Sequence, residues 1–295
     1  MFDPRQIRIS DYTYELPDDR IARYPLPNRD SSKLLLYNNQ GITDSIFSNL
    51  ASFIQKGSLL VSNNSKVIPA RIFFRKASGA SIEVFCLEPV LPADYQESFA
   101  STSSCTWKCI VGNLKKWKNG KLHISLLHNN QDVTLHAEII HRELTEQHIR
   151  FEWDNPLIDF ATIIELAGTL PIPPYLERET EDIDLQHYQT IYSKIKGSVA
   201  APTAGLHFTS NVFQQLREKY CQLAELTLHV GAGTFKPVTA ETLGGHSMHC
   251  EHFSISKLTI ELLLEHLENI TAVGTTTART LESLYQVGVQ LCDEQ

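Results

Sequence analysis

Between Val67 and Trp153 the chain reads as a succession of short strands: VIPARIFF (Val67–Phe74), SIEVFCLEPV (Ser81–Val90), WKCIVGN (Trp107–Asn113), KLHISLL (Lys121–Leu127), VTLHAEII (Val133–Ile140) and HIRFEW (His148–Trp153). These runs are rich in β-branched and aromatic residues. Turn signals such as Asn119-Gly120 and Asn129-Asn130 separate them, and no helical period of useful length interrupts them. Short strands at this spacing predict a small all-β barrel-like domain, with the Ser-, Pro- and Ala-rich stretch Pro89–Ser104 as a long loop within it.

On either side the pattern changes to mixed α/β. Upstream, Asp44–Lys56 places Ile46, Phe47, Leu50, Phe53 and Ile54 on one helical face with Gly57 as the stop, and Ser58–Ser62 reads as a buried strand. Downstream, Asp154 or Asn155 is a candidate cap, Pro156 suits a first turn, and Gly168 ends the helix that follows. Further helices are expected over Thr209–Tyr220, Ser256–Glu268 and Thr277–Val287, with strands over Leu223–Val230 and Thr271–Gly274. The expected fold is therefore an α/β main domain, residues 1–68 and 155–295, split by an inserted β-barrel-like domain at 69–154.

Composition narrows the class. The 295 residues are 42% hydrophobic and 20% charged, ordinary values for a chain that buries a core of its own. No apolar run is long enough to span a membrane, and MFDPRQIRISDYTYELP has no signal-peptide core, so a cytoplasmic location is expected. The six cysteines are scattered without a CxxC pair and read as free thiols. A net charge of −8 argues against coating nucleic acid through bulk charge, while leaving room for a local basic patch that meets one folded RNA.

Four segments join small residues to reactive ones at strand or helix ends. In GSVAAPTAGLHFT (Gly197–Thr209), side-chain bulk is nearly absent, and Thr203, His207 and Thr209 are presented just before a helix. Such a loop lets a ligand reach backbone amides, and the following helix N-terminus suits an anion. A tight structural turn capped by Thr209 is the plainer alternative. In LAELTLHVGAGTFKPV (Leu223–Val238), Ala224, Leu226, Leu228 and Val230 share one strand face. His229 points the other way, beside Gly231, Gly233 and Thr234. A solvated strand face explains this segment equally well. GHSMHCEHF (Gly245–Phe253) crowds His246, His249, Cys250, Glu251 and His252. Its spacing fits no standard zinc pattern, so acid–base or binding use is preferred to a metal. In AVGTTTARTLE (Ala272–Glu282), Thr275 and Thr276 can cap a helix and hold a carboxylate, with Arg279 three residues from Glu282 on the same face.

Taken together these segments resemble one family. DYTYELPDDRIARYPLPNRDSSKLL (Asp11–Leu35), NNSKVIPAR (Asn63–Arg71), LPIPPYLER (Leu170–Arg178), YQTIYSKIKGSVAAPTAGLHFT (Tyr188–Thr209), LTLHVGAGTFKPV (Leu226–Val238), HSMHCE (His246–Glu251) and VGTTTARTLES (Val273–Ser283) run in the order of the S-adenosylmethionine:tRNA ribosyltransferase-isomerase family. The resemblance implies transfer and isomerisation of the ribosyl moiety of S-adenosylmethionine onto 7-aminomethyl-7-deazaguanine at the tRNA wobble position. The product is epoxyqueuosine-tRNA, and adenine and methionine leave. S-adenosylmethionine is then a consumed co-substrate, no cofactor or metal is expected, and a monomer is the family's default.

Within that reading His207, His229, His249 and Glu251 are the candidates for proton transfer. Thr203, Gly205, Gly231, Gly233, Thr234, Thr275, Thr276 and Arg279 are the candidates for binding S-adenosylmethionine. Arg23, Arg29, Lys66 and Arg71, flanked by Arg20 and Lys33, and the basic stretch Lys115, Lys116, Trp117 with Lys118 and Lys121, are candidates for tRNA, the tryptophan by base stacking. Two departures stand out. Asn64-Ser65-Lys66 replaces an expected Asp-Thr-Arg, and nothing after Ser283 matches the family's further C-terminal segment. A shortened homologue that only binds tRNA or S-adenosylmethionine is therefore the alternative, with an unrelated metal hydrolase built on His246–His252 as a third reading.

Overall fold

The computed structural model describes residues 3–235, 238–246, 248 and 250–293. The chain opens with short 3-10 turns and then a hairpin of β1 (Lys33–Asn38) and β2 (Gly41–Ile46). A 3-10 turn and the single-turn α1 (Leu50–Phe53) lead to β3 (Leu59–Asn63) and β4 (Ser65–Val67). The strands β5 (Arg71–Arg75) and β6 (Ser81–Leu91) are followed by α2 (Tyr95–Ala100). Then come β7 (Ser104–Gly112), β8 (Leu122–His128), β9 (Gln131–Arg142) and β10 (Gln147–Trp153). After them come α3 (Phe160–Ala167), β11 (Gly168–Thr169), α4 (Asp184–His187), β12 (Ile195–Ser198) and α5 (Ser210–Glu218). The chain closes with β13 (Gln222–Leu228), β14 (Phe253–Ser254), α6 (Lys257–Glu265), β15 (Ile270–Ala272) and α7 (Gly274–Asp293).

The strand succession from Val67 forms a seven-stranded antiparallel sheet in the order β11-β5-β6-β7-β10-β9-β8, curled so that β8 approaches β5. Alternation fills its concave side with Ile72, Phe74, Val84, Trp107, Leu135, Ile149 and Phe151, all fully buried. The same core takes Phe160, Ile163 and Ile164 from α3, and β11 pairs with β5, so this packing continues past residue 154. The second sheet, β14-β13-β3-β15, has a parallel centre of β13, β3 and β15. All five residues of β3 are buried, as expected for a central parallel strand covered on both faces. A parallel pair, β12 with β4, lies alongside. The molecule is thus a mixed α/β fold.

Local chemistry explains where the helices differ from expectation. The expected helix over Asp44–Lys56 is instead the end of β2, a 3-10 turn and one turn of α1. Asp44 stands opposite Leu35 in the hairpin register, and β-branched Ile42, Thr43 and Ile46 suit that extended backbone. The cap of α3 is Asp159, which accepts from the Thr162 amide at 2.8 Å; Asp154 is already committed to the Thr134 amide at 2.9 Å. Inside the expected loop Pro89–Ser104, Asp94 caps α2 through the amides of Gln96 and Glu97, and that helix buries Tyr95 and Phe99. Thr209 and Ser256 cap α5 and α6, and α7 starts at Gly274, before the expected Thr277.

Candidate active site

Parallel strands send their following loops to one edge of a sheet; β13 and β15 of the four-stranded sheet do so here, joined by the loop after β12 of the neighbouring parallel pair. Past β13 come His229, Val230 and the 231–235 loop; past β15 comes Val273 and then α7; past β12 comes Val199 and the loop to Thr203. The amide of Val199 donates to the Val230 carbonyl and that of Val273 to the Val61 carbonyl, both at 2.9 Å, which locks the strand ends together. Between these loops opens a cavity of about 340 Å³. Thr203, Thr234, Thr275 and Thr276 line it with hydroxyls, and Tyr175 and Tyr188 line it with aromatic rings. The first turn of α7 lies in its wall, where free amides and the helix dipole favour a carboxylate. The Thr276 hydroxyl is buried and makes no hydrogen bond within the protein.

A second cavity of about 230 Å³ lies on the other side of the 231–235 loop. One wall is His229, Gly231, Gly233, Glu251 and His252; the other is Glu88, Tyr95, Lys108 and Glu146 from the seven-stranded unit. Glu251 has a side chain only 3% exposed. It accepts the Gly231 amide at 2.7 Å through one oxygen and the Arg279 guanidinium through the other. It thereby ties the loop between the cavities to α7. Lys108 lies 3.2 Å from Glu88 and 3.3 Å from Glu146. Burial is the largest influence on its ammonium and pulls its pKa down, but the two carboxylates outweigh it and raise it.

His229 is held against the Tyr95 ring, centroids 3.9 Å apart and planes 16° from parallel. Its Nδ1 is buried without a hydrogen-bond partner. Burial, reinforced by the nearby His252 and opposed by Asp94, brings its pKa down to about 4. The imidazole is neutral near pH 7 and carries a free lone pair. The strand face opposite the apolar one is covered rather than solvated. Thr227 is buried and donates to Asn64 Oδ1 at 2.7 Å, while Asn64 donates to Glu225 at 3.1 Å. An amide at position 64 can donate to that carboxylate, as an ionised aspartate could not.

Other candidates lie elsewhere. His207 packs on Phe47, centroids 5.3 Å apart, with Nδ1 3.4 Å from the Arg29 carbonyl, and lines neither cavity. His249 lies outside the described residues. Gly205 faces inward: a Cβ there would sit 2.1 Å from the Tyr192 hydroxyl, so the small residue admits a tyrosine of the fold. Arg279 meets Glu251 rather than Glu282. Among the described residues no three His, Cys, Asp or Glu side chains gather as a metal site.

The basic candidates divide by exposure. Arg29 donates to the carbonyls of Gln189 and Gln186, both at 2.5 Å, and burial lowers its pKa; it fastens the N-terminal segment to the body. Arg71 pairs with Glu83 at 2.5 Å and Arg23 with Glu177 at 2.8 Å. Lys66 is half-buried in β4, whereas Lys115 and Lys116 are exposed. Trp117 is 1% exposed and its indole donates to the Gly120 carbonyl at 2.9 Å, so its ring is core and presents no face for a base.

Tyr95, Glu88, Lys108 and Glu146 escaped the sequence reading. An Asp94 cap with Tyr95 and Phe99 four apart is a legible helix signal. The Glu88–Lys108 pair depends on the β6–β7 register, which runs through two irregularities.

Comparison with known proteins finds relatives over nearly the whole chain. The family model described as Queuosine biosynthesis protein matches residues 9–294. The S-adenosylmethionine:tRNA ribosyltransferase-isomerase of Trichlorobacter lovleyi is 39% identical over 281 residues, covering 93% of this chain and 76% of that protein. The enzyme of the same name from a Sulfurihydrogenibium species is 37% identical over 289 residues, covering 96% and 79% respectively. A crystal structure of S-adenosylmethionine tRNA ribosyltransferase from Thermotoga maritima is 30% identical, covers 92% of this chain and 72% of its own, and superposes with a TM-score of 0.38. The loops that line the two cavities are drawn from sequence segments of the queuosine biosynthesis protein family, the family of the S-adenosylmethionine:tRNA ribosyltransferase-isomerases, and this chain belongs to it.

Proposed function

We propose that this chain transfers and isomerises the ribosyl moiety of S-adenosylmethionine onto 7-aminomethyl-7-deazaguanine at the tRNA wobble position, yielding epoxyqueuosine-tRNA, adenine and methionine. The observation that carries this reading is the convergence of Thr203, Thr234, Thr275 and Thr276, from three separate strand-end loops, on one cavity beside His229 and Glu251. The hydroxyls and the start of α7 suit the methionine carboxylate and sugar hydroxyls. Three carboxylates, Glu88, Glu146 and Glu251, against the two cations Lys108 and Arg279 leave the neighbouring cavity a net negative surrounding that suits a sulfonium or an ammonium.

His229 is then the base. A proton on carbon next to a sulfonium is acidified by the adjacent charge, and a neutral imidazole held out of water can accept it. Glu251 is engaged by the Gly231 amide and by Arg279, so its part is to set the loop between the cavities. Lys115 and Lys116 offer the exposed charge for tRNA phosphates. On this reading residues 1–68 and 155–295 form the catalytic domain, and the sheet unit at 69–154 is an insert supplying one wall. The protein acts as a cytoplasmic monomer and consumes S-adenosylmethionine as co-substrate; no described helix is long and apolar enough to cross a membrane.

Adenine release from S-adenosylmethionine in the presence of tRNA bearing 7-aminomethyl-7-deazaguanine tests the reading. Release that requires that tRNA supports it. Binding of both substrates without release would instead assign the chain a binding role alone.

A further inference from the structure

Tyr95 belongs to no motif of the sequence, yet it makes the closest ring contact to His229. It is the first residue of α2 and is 9% exposed. Trp107 packs edge-on against it at 5.9 Å and Phe99 lies at 6.4 Å, so its ring is seated in the core of the seven-stranded unit. Its other side covers the His229 imidazole. Gly197 abuts the pair from the β12 loop. Its φ is +145°, and a Cβ there would lie 2.3 Å from His229 Nδ1 and 2.8 Å from Tyr95 Cδ1. The His229 amide donates to the His252 carbonyl at 2.9 Å, fixing the backbone from which the ring projects.

We propose that Tyr95 is a positioning residue for His229: its ring, carried by the seven-stranded unit, sets the plane of the imidazole and keeps water from the face it covers, while Gly197 closes the Nδ1 edge. The cavity beside His229 is thus built jointly by residues of both sheets. This inference rests on the reading of His229 as the base.

First, stacked rings with offset faces hold one another's planes, which an aliphatic side chain of similar volume does not do. Second, Nδ1 has no acceptor where it lies, so a proton placed there would go unsatisfied. Third, the surroundings bear on charge. His252 opposes a positive imidazole and Asp94 favours one, and burial outweighs both. Glu88, Glu146 and Glu251 face the same cavity, with Lys108 pairing the first two. The Tyr95 hydroxyl is itself pushed up by burial and by Glu88 and Glu251, so the covering ring stays uncharged. A ring-sized opening at Tyr95 would admit water to His229 and restore its ordinary titration.

The test compares Tyr95→Phe, Tyr95→Leu and Tyr95→Ala in the full chain. Two quantities are read: the His229 imidazole titration by NMR, assigned with His229→Gln, and the pH profile of adenine release with substrate tRNA. Tyr95→Phe is expected to match the parent in both. Tyr95→Leu and Tyr95→Ala are expected to move the titration from about 4 toward 6.5. The acidic limb of the rate should rise with it, and kcat at pH 6 should fall by up to about fourfold while KM for S-adenosylmethionine stays roughly unchanged. If the leucine variant keeps the parent's titration and profile, Tyr95 is only a filler and the proposal is overturned. Equal loss in Tyr95→Phe overturns it too, because the hydroxyl would then be the active part. Should Tyr95→Ala fail to fold, the phenylalanine–leucine comparison decides. A shifted titration with unchanged adenine release supports the clamp and removes His229 from the reaction.

Discussion

Glu251 and Arg279 form an ion pair that joins the loop between the two cavities to the first turns of α7, with the Glu251 side chain 3% exposed and that of Arg279 39% exposed. The carboxylate also takes the Gly231 amide at 2.7 Å. Removing the guanidinium leaves a deeply buried charge with less compensation, while water can reach part of the vacated site. Arg279→Ala should therefore cost about 2–3 kcal/mol in denaturant unfolding. Adding Glu251→Gln to it should recover part of that loss. A single-variant cost below about 0.5 kcal/mol would show that the pair is solvated and carries little.

The titration of His229 makes stability pH-dependent in a defined window. Its pKa falls from 6.5 to about 4 in the folded protein, so the unfolded chain takes up the proton first as pH drops. The stability contributed by keeping the imidazole neutral is complete above about pH 6.5 and disappears as pH falls toward 4, by up to about 3 kcal/mol. Urea unfolding between pH 7 and 5 should show a loss of about 2 kcal/mol in the parent that is missing from His229→Gln. Parallel curves for the two proteins would contradict the burial of this ring.

Gly197 is constrained in both backbone and space. Its φ of +145° disfavours any L side chain, and the first added carbon would overlap the His229 ring. Gly197→Ala should destabilise by about 3 kcal/mol and displace the imidazole. NMR shifts of the His229 ring protons, together with a thermal melt, check this. An alanine variant with parental melting and shifts would rule the contact out.

For the hydroxyl-lined cavity, Thr275→Val keeps shape and removes one donor. On the proposed function it should raise KM for S-adenosylmethionine about tenfold with kcat little changed, as loss of uniform binding requires. Steady-state adenine release measures both. A fall in kcat alone would place Thr275 at the reacting atoms instead.

Trp117 and its lysine neighbours separate cleanly. Trp117→Ala should cost about 3–5 kcal/mol of stability, because it empties a core position. Replacing Lys115 and Lys116 together by Ala should leave melting unchanged and reduce the salt dependence of tRNA binding, by a slope of roughly 1–2 in log Kd against log salt. An unchanged slope would take this turn off the tRNA surface.

Periodicity and chemistry were local enough to be read directly. Alternating apolar residues defined the strands from Ile72 to Trp153, the cap Thr209 and the helical stretch from Ser256 marked the starts of α5 and α6, and strand parity turned His229 away from Leu228 and Val230. The hairpin partner of Asp44 was not legible, because cross-strand pairing competes with helix in a segment whose apolar spacing fits both. Exposure misled at Trp117, since an aromatic among lysines looks superficial until the chain turns its ring inward.

The sequence by itself determined the family and the small, hydroxyl-bearing character of the strand-end loops, because both depend on residues close together in the chain. Only the tertiary structure decided which reactive groups meet. It brought Thr203, Thr234 and Thr276 to one cavity and left His207 against Phe47. It buried Glu251 on Arg279 and laid Tyr95 over His229. The reason is that parallel strand order and the closing of two sheets place residues more than a hundred positions apart within ring-contact distance, and no local pattern encodes that closure.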